Sequence, residues 1–260
     1  MIVLSIFVVV TLGLLGFAVY SFETDRRKKA VSPFRVPRAA AVDTWECRKA
    51  VHEAGHAACA WCCTLVRGVR VATIEAKGGG GHVLFEYIAY PGSDAEWCRA
   101  VIALAGVVAE AAVYGKWDTR GSKEDISDAL VHVVAATDQK SDPPWPRLGK
   151  DDGHVPALRR MFRNKIAPEV ERNLEECWRM ARVVVEAHGG KFFKLVTALL
   201  THKTAKDFHM EEVLGARYFE KFIAAGETFE RAVRQDGKAS IFKPRFFMPL
   251  QVNVRRKKAA

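Results

Sequence analysis

The sequence has no phosphate-binding G-x-x-x-x-G-K-[ST] loop and no low-complexity stretch beyond the run Gly78–Gly81. It also lacks any repeat with the ~20–50-residue period of solenoids and propellers. A P-loop nucleotide hydrolase is thereby excluded within this chain. Cysteine is sparse, at six among 260 residues, and Cys59, Cys62 and Cys63 crowd one apolar segment. Neighbouring positions on one helix are poor disulfide geometry, so a disulfide scaffold is excluded as well and these thiols are expected to pack a helix. Net charge is scarce where nucleic-acid binding would need it. The formal total is +10, but 21–40 carries six bases against two acids and 254–260 carries four bases and no acid. Only +2 remains for 41–253. A nearly neutral body without an aromatic-basic face argues against nucleic acid as a partner.

Charge is missing altogether from the side chains of Met1 to Tyr20. As a helix that run rises ~29 Å, the hydrocarbon thickness of a bilayer. The basic start of a cleaved signal is absent too, while Arg26, Arg27, Lys28 and Lys29 follow the apolar run. That pattern predicts a single-pass anchor at 1–20 with everything after it on the cytoplasmic side. A basic, Pro-containing linker is expected at 21–42, one domain at 43–225, and a basic tail at 226–260 able to meet anionic lipid headgroups.

The domain reads as mainly α with a small β element. Asp43 and Glu46 stand in capping-box spacing before a helix to about Leu65. Val69–Ile74 and His82–Ile88 look like strands around the glycines. Ser93 with Glu96 forms another box before the apolar stretch Val101–Val113, which Gly115 stops, and Ser122 can cap a helix over Lys123–Ala136. Pro143–Pro146 reads as a loop, Pro156 opens a long helix to His188, and shorter helices are expected near 191–202 and 210–224.

His52-Glu53-Ala54-Gly55-His56 carries the chemistry. Positions i and i+4 share a helix face, so both imidazoles can bind one metal. Glu53 lies about 100° round the helix, close to a metal-held water without being a ligand. Zn²⁺ brings such a water to a pKa of ~7, and the glutamate would take its proton and pass it to the leaving amine. Chemistry alone leaves two candidates for the third ligand, Glu110 late in a helix and Asp125 in the first turn of another. An acid at the second position also balances a helix dipole without any metal. His132 is expected to be a satisfied core or rim histidine, and His82 either contacts a substrate carbonyl or caps the glycine turn.

The run Arg48-Lys49-Ala50-Val51-His52-Glu53-Ala54-Gly55-His56-Ala57 resembles the active-site helix of the FtsH family of membrane-bound, ATP-dependent zinc metalloproteases. Val71–Ile74 with Gly78–Gly81, Leu104–Glu110 with Tyr114-Gly115, Gly121–Ile126 with Ala129, and segments across 187–213 are similar to that family in the same order. The resemblance covers roughly 45–215. It implies an FtsH-like helical peptidase fold, one Zn²⁺ per chain held by His52, His56 and Asp125, and Glu53 as the catalytic general base. Glu110 would then orient a ligand. From its own residues, the strand-like segment His82–Glu86 after the four glycines is expected to be the edge strand flanking the cleft, with His82, Val83 and Leu84 holding protein or peptide substrates. A homo-oligomer, by family precedent a hexamer, or a separate ATPase partner is implied too. Val107 stands where the family usually has arginine, and Asp118–Glu124 is more charged than the family's loop. The family's ATPase module has no counterpart in the 22 residues between Tyr20 and Asp43. Flexible or unfolded segments near a membrane are therefore the expected substrates, and an inactive membrane scaffold is the alternative.

Overall fold

The computed structural model describes residues 40, 42–63, 65–75, 80–87, 92–145, 155–162 and 165–215, all within the second of the chain's two units, Arg35–Ala260. The expected anchor at 1–20, nearly all of the linker at 21–42 and the tail at 226–260 lie outside the described residues. Within them, helix dominates and the β element is one three-stranded sheet.

Helix α1 (Trp45–Cys62) starts at Thr44, whose Oγ1 accepts a hydrogen bond from the Cys47 amide at 3.2 Å. The capping side chain is thus one residue later than the expected Asp43. Asp43 instead pairs with Arg48 and, at 3.1 Å, with Lys116. Five alanines and Gly55 keep α1 slim enough to be buried along most of its length. A Cβ at Gly55 would lie 2.4 Å from the Ala105 carbonyl oxygen, so only hydrogen fits there. Ala105 belongs to α2 (Ser93–Tyr114), and α1 and α2 therefore cross with their backbones nearly touching.

Among the described residues, α2 alone is long and apolar enough to cross a membrane, and 78% of its most apolar stretch is buried inside the protein. That burial makes it the central core helix here. It packs on α1, on α3 (Lys123–Asp138) and on α5 (Pro168–His188). The chain enters α2 through Gly92 at φ 123°, so Ser93 is helical and no side chain caps this end. Glu96 is correspondingly not a capping partner. It binds Arg99 at 2.9 Å and His132 at 2.6 Å, which makes His132 the satisfied rim histidine expected of it. Gly115, at φ 68°, closes α2.

Strand β1 (Val66–Thr73) lies between β2 (His82–Tyr87) and β3 (Thr204–Lys206), antiparallel to both. Among the described residues β2 is therefore an edge strand, as expected, while β3 is too short to have been legible. The helix expected to run unbroken from Pro156 to His188 is two helices, α4 (Val155–Phe162) and α5. Ala167 is extended at ψ 143° because the residue before a proline avoids the helical region, and Pro168 begins α5. α6 (Gly190–His202) and α7 (Asp207–Leu214) follow, with α6 packed on α1. Trp97, Trp178 and Phe192 are fully buried between these layers, each such ring contributing roughly 3 kcal/mol.

Candidate metal centre

His52 and His56 emerge from the middle of α1 where it crosses α2. Their Nε2 atoms are 3.0 Å apart, with the rings edge to face at 4.7 Å between centroids. Asp125, in the first turn of α3, completes the group. Its two carboxylate oxygens lie 2.9 Å from His52 Nε2 and 3.6 Å from His56 Nε2. Donors bonded to one tetrahedral zinc at ~2.0–2.1 Å sit about 3.3 Å from each other. The observed spacings bracket that value, and two imidazoles with one carboxylate are a zinc-compatible donor set. Among the described residues this is the only group of three or more His, Cys, Asp or Glu able to hold a metal ion.

The backs of both imidazoles are committed. His52 Nδ1 lies 2.7 Å from Glu110 Oε1, and His56 Nδ1 lies 2.7 Å from the carbonyl oxygen of Ile102. Both acceptors, a carboxylate and a carbonyl, require Nδ1 to carry hydrogen when it bonds. The lone pairs of the neutral rings are thereby left on Nε2, facing the centre. Glu110 is buried and is held by the Asp118 amide at 3.0 Å and by Arg48 at 3.3 Å. It sits behind His52, on the side away from Asp125, so it belongs to the support and not to the donor group.

Charge follows the same geometry. Burial opposes a proton on His52, but hydrogen bonds to Asp125 and Glu110 outweigh it and raise the pKa to about 10. Burial likewise acts to raise Asp125, and its hydrogen bonds to His52 and His56 win, holding the carboxylate well below its ordinary range. A proton thus bridges donors that a cation can bridge instead. Glu53, only 6% exposed, is raised by burial against the opposing pull of the neighbouring histidines.

Two glycines shape the site, and nothing in the spacing of the motif pointed to either role. A Cβ at Gly106 would meet His56 Nε2 at 2.5 Å and His52 Nε2 at 2.6 Å. The backbone of α2 is therefore pressed against both rings. A Cβ at Gly81 would fall 2.4 Å from Glu53 Oε1, so the chain entering β2 runs directly over that carboxylate. Arg48 and the amide of Asp118 are further supports that the motif did not reveal. Ser122 precedes α3 as expected, but its buried hydroxyl makes no capping bond.

A cleft of about 420 Å³ opens beside the donor group. Trp45, Val83 and Phe85 give it an apolar side, Glu124 and Asp128 an acidic one, and His82 lies near Glu53. Leu84 is 53% exposed and is not among the lining residues. The cysteines stand apart from the centre. Cys59 and Cys63 are buried, and Cys62 Sγ, at the C-terminal end of α1, lies 3.1 Å from His188 Nε2. No family model and no curated protein sequence matches the chain.

Proposed function

We propose that this chain is a zinc-dependent endopeptidase, membrane-anchored through 1–20 and related to the FtsH peptidase domain. The observation that carries the reading is a buried carboxylate, Glu53, beside a His52–His56–Asp125 donor group that opens onto a cleft. His52, His56 and Asp125 would hold the zinc, with Glu110 fixing the direction of His52. Zinc so held brings a water to a pKa near neutrality and polarises a carbonyl. Glu53 takes a proton onto its carboxylate oxygen and returns it to the departing amine nitrogen. Its burial-raised pKa suits both halves of that exchange.

Substrates fit as extended chains. Among the described residues β2 has an open edge, and an added strand pairs through main-chain hydrogen bonds that read little sequence. Flexible tails, loops and unfolded chains near the membrane are the substrate class that such an edge can take without a pulling motor. A homo-oligomer or a separate ATPase would extend that class to folded proteins.

The test compares wild type and Glu53→Gln, as full chains in detergent, on an unfolded protein such as casein. Wild type should cleave it, and Glu53→Gln should retain about one zinc per chain with cleavage abolished. Equal cleavage by the two proteins would refute the reading. Absence of any Glu53-dependent cleavage, including self-cleavage, would favour a non-catalytic membrane scaffold.

A further inference from the structure

Peptide hydrolysis moves negative charge onto the scissile carbonyl oxygen. As the water oxygen bonds to the carbonyl carbon, the π electron pair shifts to that oxygen. It returns when the C–N bond breaks and the amine leaves with the proton carried by Glu53. A hydrogen-bond donor aimed at that oxygen favours the transition state over the ground state.

The cationic and imidazole side chains of the cleft can be checked one by one. Arg48 is committed to Asp43 and Glu110. Lys49 Nζ donates to the Ile74 carbonyl at 2.8 Å. His52 and His56 turn their Nδ1 atoms to Glu110 and Ile102 and their Nε2 atoms to the centre. His82 differs from all four. Its imidazole has no hydrogen-bond partner among the described residues, it is exposed, and it lines the cleft. It follows Gly81 directly, and Gly81 runs against the Glu53 carboxylate. His82 thus stands one residue from the point where the chain lies against Glu53, and both residues line the same cleft.

We propose that His82 is a catalytic residue, donating an N–H to the scissile carbonyl oxygen as charge develops there. The inference rests on the endopeptidase reading and adds to it a named group for the oxyanion. Because donation is used mainly in the transition state, loss of His82 should lower kcat and leave KM nearly unchanged.

The experiment measures zinc content, thermal midpoint and casein-peptide kinetics for full-length wild type, His82→Leu and His82→Gln. It also measures binding of a phosphinic peptide, a tetrahedral anion, by each zinc-loaded protein. His82→Leu should lose about 100-fold in kcat and a comparable factor in phosphinic peptide affinity, with KM within twofold. Its zinc content and midpoint should be unchanged, since the replaced side chain is exposed. His82→Gln, which keeps an N–H donor, should recover most of the loss. A kcat for His82→Leu within twofold of wild type overturns the assignment, as does parallel loss of zinc, or His82→Gln as impaired as His82→Leu. Absence of Glu53-dependent turnover in wild type is a different failure: it removes the endopeptidase reading itself and this inference with it.

Discussion

The two sides of the metal-capable group are built differently. The α1–α2 side is core. His52 and His56 stand on a helix buried along most of its length, each has its Nδ1 bound from behind, and the backbone at Gly106 presses on both rings. The α3 side is a single carboxylate, Asp125, with its side chain 26% exposed and the two histidines as its hydrogen-bond partners. Packing fixes two donors before any ion arrives, while the third is held mainly by what it binds. One side should therefore fail through the fold and the other through the metal alone.

Gly106→Val should separate the sides most sharply. Its Cβ would overlap both imidazoles at 2.5–2.6 Å. The variant should lose stoichiometric zinc and be destabilised by about 1–3 kcal/mol, the usual range for overpacking, as read by denaturant unfolding of metal-free protein. Asp125→Ala should also lose tight zinc binding, yet its metal-free stability should approach that of wild type above about pH 10, where His52 no longer carries the proton that Asp125 holds. A destabilisation there as large as that of Gly106→Val would erase the contrast.

Glu110→Gln probes the support behind the core side. Its removal leaves His52 bonded to a weaker acceptor, and zinc affinity should fall by roughly 10–100-fold in competition with a chelator. An unchanged affinity would mean that packing against Gly106 suffices to aim the ring.

The last effect is a dependence on pH in the metal-free protein. His52 has its pKa raised to about 10 in the fold from an ordinary 6.5, burial being outweighed by the bonds to Asp125 and Glu110. A raised folded pKa gives stabilisation that is full below about pH 6.5 and is lost as pH climbs through about 10. Asp125 has the opposite sign: its depressed pKa stabilises above the ordinary carboxylate range and ceases to do so in acid. Thermal midpoints of metal-free protein should decline between pH 7 and 10. Zinc-loaded protein, with the ion in the proton's place, should show a smaller decline. Parallel curves would deny that proton and metal share the position.

The same contrast explains what could be read from the sequence. His52, Glu53 and His56 were legible because i and i+4 on one helix fix their relation locally. Asp125 lies about 70 residues away and was reached only through the family resemblance, since its own surroundings read as an ordinary first-turn acid. The tasks of Gly81 and Gly106 are close approaches between distant segments, and no local pattern encodes those. Fold errors have the same origin. Glu96 looked like a capping partner from its spacing to Ser93, but Arg99 one turn along the same helix and the tertiary partner His132 claim it. Ala167-Pro168 carried a legible break that the helical pattern on either side obscured. The three residues of β3 acquire strand form only by pairing with β1.

X-ray absorption at the zinc edge on full-length, zinc-loaded protein tests the centre most directly. The account predicts one zinc per chain, surrounded only by nitrogen and oxygen neighbours at about 2.0–2.1 Å, with the multiple-scattering pattern of two imidazoles. Asp125→Ala should change that shell while the imidazole pattern persists in whatever zinc is retained. A sulfur neighbour near about 2.3 Å, or a wild-type spectrum lacking the two-imidazole pattern, would contradict the assignment of His52, His56 and Asp125.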